Sequence, residues 1–298
     1  LTMRPMSLYE SADSTGQVSL KDLFDKPDSL EGENNLNIDK LAFLICRGGW
    51  PHAVGMREKI ALAQAEDYYE AVIKSDINRA DGVSKNPERV KRLLRSLARN
   101  QGAQIANTML KNDIVSNDTE SLNEDTIASY LNALKKIFVI EDMPAWNPNL
   151  RSKTSIRSSD TRYFVDPSIA VSALGAGPQD LINDLNTMGL LFETLCVRDL
   201  RVYAEKIGGS VLHYRDKSGL ECDTVIHLKN GRYGLAEIKL GGQKLIEEGA
   251  ANLKALSNKI DTSKMPAPSF LMIIIGVGEF AYKREDGIFI VPIGCLKD

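Results

Sequence analysis

Apolar and polar positions along the chain recur at two periods, and the period changes with position. The opening, LTMRPMSLYE, alternates like a strand. From Ser11 to Gly32 the chain is rich in Ser, Asp and Gly around one short apolar group, VSLKDLF, which predicts loop and short helix. Helical spacing appears over Ile38 to Cys46, stops at Gly48, Gly49, Trp50 and Pro51, and resumes over Ala61 to Ile77. Pro51 suits the first turn of a new helix, where its missing N–H would be unpaired in any case.

From Asn86 three helices are predicted in close succession. Pro87 opens ERVKRLLRSLARNQG, with Val90, Leu93, Leu94 and Leu97 on one face and Gly102 at the end. QIANTMLK, from Gln104, is a short second helix, and NEDTIASYLNALKKIF, from Asn123, is a third. Two extended stretches, Val139 to Trp146 and Arg162 to Val165, flank the basic, Ser-rich loop RSKTSIRSSD. Three helices followed by a two-stranded ribbon is the winged-helix order.

The last third mixes the two periods. Thr187 to Lys206 and Lys244 to Ile260 read as helices, whereas Val211 to Tyr214, Glu221 to Leu228, Tyr233 to Leu240, Phe270 to Gly276 and Gly287 to Pro292 read as strands. Hairpin strands, a crossover helix and a further strand predict a mixed α/β sheet.

Composition narrows this picture only a little. The 298 residues are long enough for two or three domains, and 43% hydrophobic with 26% charged residues is an ordinary globular mixture. A net charge of -3 gives no global pull toward nucleic acid, so any such binding must come from a local patch. Cys46, Cys196, Cys222 and Cys295 lie far apart, without metal-site spacing, and read as buried free thiols. The three histidines show no ligand pairing. The most apolar run, FLMIIIGVG at Phe270 to Gly278, is far short of the ~20 residues of a membrane span. With no signal segment, a cytoplasmic location without a membrane partner is expected. Leucine in first place and an unpartnered opening strand read as a piece of a longer polypeptide.

Chemistry concentrates in ECDTVIHLKNGRYGLAEIKLGGQ, Glu221 to Gln243. Period-two alternation puts Glu221, Asp223, Val225 and His227 on one face of the first strand and Tyr233, Leu235, Glu237 and Lys239 on one face of the second. Whether the charges meet depends on the turn. A two-residue turn at Asn230-Gly231 sets Asp223 opposite Ile238. A three-residue loop, Lys229-Asn230-Gly231, with left-handed glycine, sets Asp223 opposite Glu237 and Glu221 opposite Lys239. Facing carboxylates repel, so Lys239 or a divalent cation should compensate them. Magnesium takes carboxylate oxygens plus water, and a neighbouring lysine can stabilise charge on a phosphate or orient an attacking water. Glu193 sits among apolar neighbours on its helix, where an unpaired acid is expensive to bury. It could reach the same metal, or pair with Arg198 or Lys239.

Asp223, then Glu237-Ile238-Lys239, after a helix bearing Glu193, resembles the PD-(D/E)XK nuclease-like superfamily, which places an acid and an E-x-K signature on adjoining strands. The rest of the chain is similar to prokaryotic AAA+ ATPases whose C-terminal part, a domain of unknown function, joins a winged helix to such a module. RPMSLYES, CRGGWPHAV, LLRSLARNQG, SYLNALKKIFVIEDMPAW and RYFVDPSIA carry that likeness over nearly the whole chain. The resemblance implies an α/β multidomain fold: residues 1–80 as the last core strand and a helical lid remnant, 81–165 as a winged helix, and 166–298 as a mixed-sheet PD-(D/E)XK nuclease-like domain.

It also implies magnesium held by Asp223, Glu237 and Glu193, with Lys239 completing a catalytic set. ATP belongs only to the full-length parent, where oligomers can form, because no G-x-x-x-x-G-K-[ST] phosphate loop occurs here. DNA and a protein are the two candidate partners. Between Pro87 and Asp166 there are 12 Lys/Arg against 10 Asp/Glu, so the phosphate contacts expected of a DNA surface fall to Lys135, Lys136, Arg151, Lys153 and Arg157. The expected function is therefore either a metal-dependent nuclease or a non-catalytic module that couples DNA or protein to the ATPase core.

Overall fold

Helix boundaries follow the capping chemistry of the sequence. In the computed structural model, which describes residues 2–26, 30–115, 123–148 and 159–298, Asn86 accepts from the backbone N–H of Glu88 and Arg89 at the start of helix Pro87–Arg99. Asn123 caps helix Glu124–Lys136 in the same way, with acids in its first turn and Lys135 and Lys136 in its last, as the helix dipole favours. Asp166 caps helix Pro167–Leu174, which ends on left-handed Gly175.

The described strands are β1 (Val18–Ser19), β2 (Gly32–Glu33), β3 (Ile140–Met143), β4 (Thr161–Phe164), β5 (Gly209–Arg215), β6 (Glu221–Leu228), β7 (Tyr233–Lys239), β8 (Leu271–Ile275), β9 (Phe280–Lys283), β10 (Phe289–Pro292) and β11 (Leu296–Lys297). Together with the helices they form a mixed α/β protein in two compact units.

The first unit comprises the residues up to Pro5, Ala42–Asp142 and Thr161–Leu195. It contains helices Glu58–Ala71, Pro87–Arg99, Asn107–Val115, Glu124–Lys136 and Pro167–Leu174, with β3 and β4 paired after the third of the closely spaced helices. The GGWP break has a structural use. Gly49 N–H donates to buried Asp166 at 2.8 Å, and Trp50 Nε1 donates to Ser168 Oγ at 2.9 Å. Gly48 has φ +72° and lies so close that an added Cβ would stand 2.4 Å from Asp166 Oδ1, so only glycine fits.

The second unit comprises Met6–Leu41, Met143–Asp160 and Cys196–Asp298. Its seven-stranded sheet runs β2-β9-β10-β8-β7-β6-β5. The β5-β6-β7 meander is antiparallel, β7-β8 and β8-β10 are parallel, and β9 and β2 return antiparallel at the far edge. Helix Gln243–Lys259 makes the crossover from β7 to β8 that parallel strands require. It buries Ala250, Leu253 and Leu256 with Val225, Leu235, Ile273, Ile275 and Ile290 in the unit's core. The early segment Met6–Leu41 is built into this unit. β1 pairs with β11, β2 extends the sheet beyond β9, and Leu8 N–H donates to buried Asp199 at 2.9 Å.

Candidate functional site: an acidic pair closed by a lysine

The β6-β7 hairpin turns through three residues. Leu228 N–H donates to the Arg232 carbonyl at 2.8 Å, and Gly231, with φ +85°, supplies the left-handed position. The pairs Thr224↔Ala236, Val225↔Leu235, Ile226↔Gly234 and His227↔Tyr233 share one register. Continued by one position, it sets Asp223 opposite Glu237, on the sheet face covered by helix Gln243–Lys259. The two-residue alternative, which would have turned Asp223 toward Ile238, does not form.

Lys239, two residues beyond Glu237 on the same face, reaches back to both acids. Its Nζ lies 2.7 Å from Glu237 Oε2 and 3.1 Å from Asp223 Oδ2. Asp223 Oδ2 also accepts from Ile238 N–H at 2.8 Å, which fixes the orientation of the carboxylate. Glu237 is 1% exposed, whereas Asp223 and Lys239 are half-buried. Burial alone would lower the lysine, but the charges of Asp223 and Glu237 outweigh it and hold the ammonium above its ordinary range. The same pair acts on Cys222 beside it. Burial first, then the two carboxylates, push its thiol far up, so it stays a protonated apolar group. Glu221 does not join the cluster; it pairs with Arg215 at 3.2 Å.

Crossover-helix residue Gly249 stands over this cluster. A Cβ there would meet Glu237 Cβ at 3.4 Å and Lys239 Cε at 3.5 Å, which is ordinary contact, so glycine leaves space for little more than a methyl. A lone glycine in a helical pattern was the sequence signal for it.

The other expected residues lie elsewhere or outside the described residues. Glu193 belongs to the first unit, in the leading half of helix Leu185–Lys206, and accepts from Tyr163 Oη at 2.6 Å. Gly102 packs so closely on it that a Cβ would stand 2.6 Å from Glu193 Oε1. Among the described residues no group of three or more His, Cys, Asp or Glu side chains is arranged to hold a metal ion. Asp223 and Glu237 remain as a two-carboxylate donor set. That number fits magnesium, which is commonly held by one or two carboxylates with water and substrate phosphate filling the rest. Convergence of both acids on one ammonium marks the point where a cation is favoured. Lys135 is paired with Asp142, which Arg162 also contacts at 3.0 Å, and Lys136 is exposed. Arg151, Lys153 and Arg157 lie outside the described residues.

Comparison with known proteins locates two family models on the chain. A domain of unknown function, DUF8612, matches residues 38–180, and another, DUF4143, matches residues 188–296. DUF4143 is found in AAA-ATPase-associated proteins, which associates the chain with AAA+ proteins. No curated protein matches the chain. Among solved structures, a chain of a Thermococcus gammatolerans assembly of McrB AAA+ hexamers with bound McrC is 12% identical, covering 85% of this chain and 70% of that one. Its TM-score is 0.27, below what a common fold requires. Among the described residues no helix is long and apolar enough to cross a membrane. The Asp223, Glu237 and Lys239 cluster thus falls within the stretch matched by DUF4143, in a chain similar over 109 residues to that AAA-associated domain.

Proposed function

We propose that Asp223, Glu237 and Lys239 form a magnesium-dependent phosphodiester-cleaving centre in the C-terminal part of a AAA+ ATPase. The observation that carries this reading is the convergence of two facing carboxylates on one lysine, at 2.7 and 3.1 Å, beside a helix position without a side chain. Asp223 and Glu237 would hold the magnesium, whose chemistry there would be to polarise a phosphate and acidify a water. Lys239 stabilises charge developing on the phosphate oxygens or orients the attacking water. Ile238 N–H keeps the Asp223 carboxylate aimed at the common point, and Gly249 keeps that point from being filled. Magnesium-dependent nicking of plasmid or cutting of single-stranded DNA, abolished by Glu237→Ala and by Lys239→Ala, is the test.

One observation favours a second reading. Lys239 already balances both acids, and among the described residues no third ligand joins them. Under this reading the pair is structural, and the chain binds DNA or a protein partner on behalf of an ATPase core. Three helices followed by β3 and β4 support a winged helix within residues 81–165, whose expected phosphate contacts are Lys135, Lys136, Arg151, Lys153 and Arg157, the last three outside the described residues. Metal-independent retention of DNA, weakening with salt and leaving the DNA intact, would select it over cleavage.

A further inference from the structure

Lys239 cannot hold both acids and act on a phosphate at once. Its ammonium lies 2.7 Å from Glu237 Oε2 and 3.1 Å from Asp223 Oδ2. A cation so placed neutralises the cluster, whereas a lysine that acts on a substrate phosphate has to face outward. Nor can it share its place with a metal. Magnesium takes carboxylate oxygens at about 2.0–2.1 Å, closer than either contact of the ammonium, so an ion on these oxygens would need the space that Nζ fills. Two cations at such range also repel strongly in a half-buried setting.

The carboxylates are fixed and the lysine head can move. Ile238 N–H holds Asp223 Oδ2 at 2.8 Å, and buried Glu237 sits on β7, which is paired with β6 on one side and β8 on the other. Lys239 is held through its backbone too, level with Ile275 of β8. Its side chain differs, because a flexible four-carbon stem carries the charge. That side chain is 20% exposed, and Gly249 above it puts no side chain in its way, since even an added Cβ would stand 3.5 Å from Cε. Rotations within the stem therefore carry Nζ outward without moving a strand.

We infer that Lys239 is a built-in counter-ion, which holds the cation position between Asp223 and Glu237, yields it to a divalent metal ion, and then turns outward to the substrate phosphate. The inference rests on the reading of the cluster as a magnesium centre. Under it, the structural and catalytic roles of the lysine are two states of one site, latched by the ammonium and opened by the metal. Lys239 then weakens metal binding in proportion to the time it spends on the acids. A lysine that served only the substrate would leave metal affinity unchanged.

Manganese(II) binding to the full 298-residue chain, without nucleic acid and read from the electron paramagnetic resonance of the free ion, provides the test. Binding that a further change, Glu237→Gln, abolishes is the site's own. Lys239→Gln, with its melting temperature checked, binds manganese about tenfold or more tightly than the wild type, whereas Lys239→Arg, which keeps the charge, shows no such gain. A second readout needs no variant. Nζ is shielded between its acids, so acylation of Lys239 by an amine-directed reagent, mapped by mass spectrometry, rises severalfold with saturating manganese. Lys244, whose side chain is 89% exposed, stays constant as the internal reference. Equal or weaker manganese binding in Lys239→Gln, the same gain in Lys239→Arg, or acylation of Lys239 indifferent to bound manganese would each overturn the displacement while the magnesium centre stands. No site-specific manganese binding in wild type or variant would overturn both.

Discussion

At the residue scale, the molecule spends charge where an ordinary hairpin would not. Glu237 is almost wholly buried and faces a second acid, an arrangement tolerable only with a cation beside it. Lys239→Met should therefore destabilise the fold by about 3–5 kcal/mol in urea unfolding, because it leaves a buried charge uncompensated. Millimolar magnesium should recover part of that loss if the pair can hold a divalent ion, since a ligand that binds only the folded state stabilises it. A variant that ignores magnesium would speak for a purely structural pair. The lysine also sets an alkaline limit. Its folded value is raised above the ordinary 10.5, so its stabilisation is whole below that pH and is lost as pH rises through the folded value. The stability difference between wild type and Lys239→Met should thus be flat up to about pH 10.5 and shrink above it. His213 works in the opposite direction. Burial lowers its value, so its contribution is present above its ordinary 6.5 and falls away as acid charges the ring.

At the scale of elements, one residue of strand register decides whether the site exists. Deleting Ile226 from β6 with the loop intact shifts Asp223 by one position, turns it to the opposite face from Glu237, and should remove both activity and several kcal/mol of stability, since every β6 residue before the gap changes face. Gly249 offers a finer test. Gly249→Ala should keep activity and raise the melting temperature, because alanine in a helix interior is favoured by about 1 kcal/mol and its Cβ meets only ordinary contacts. Gly249→Leu should fill the space above Glu237 and Lys239 and abolish cleavage at similar helix propensity. Much of this was legible in the sequence. Alternation fixed which residues share a face, and LKNGR allowed the odd-length loop that the hydrogen bond from Leu228 N–H to the Arg232 carbonyl shows. Glu193 was harder to read. Helical spacing marks it as an acid among apolar neighbours, but its partner Tyr163 is 30 residues away in sequence and no local pattern points to it.

At the scale of the whole molecule, chain order and spatial units differ. The segment Met6–Leu41 precedes most of the first unit yet completes the second, through two-residue strands, buried Leu20 and Leu23, and Phe24 edge-on to Phe270 at 4.9 Å. Strands of two residues have no alternation to detect, and their pairing with the far end of the sequence, parallel for β1 and antiparallel for β2, leaves no local signal, so this insertion was not legible. Removing residues 1–41 should expose the β9 edge and the apolar surface under Leu20 and Phe24, giving a lower melting temperature and aggregation in light scattering. A truncated chain that melts with the intact one would show that the segment adds nothing. The central claim, that the acidic pair and its lysine cut phosphodiester bonds, is tested most directly by the rate of cleavage of a labelled single-stranded DNA with magnesium. The account predicts cutting by the wild type that EDTA stops and that Glu237→Gln and Lys239→Met each lower by a hundredfold or more, in the range of about 10²–10³ seen when one charge-stabilising group is removed. Cleavage unchanged in those variants, or none in the folded, magnesium-loaded wild type, would contradict it.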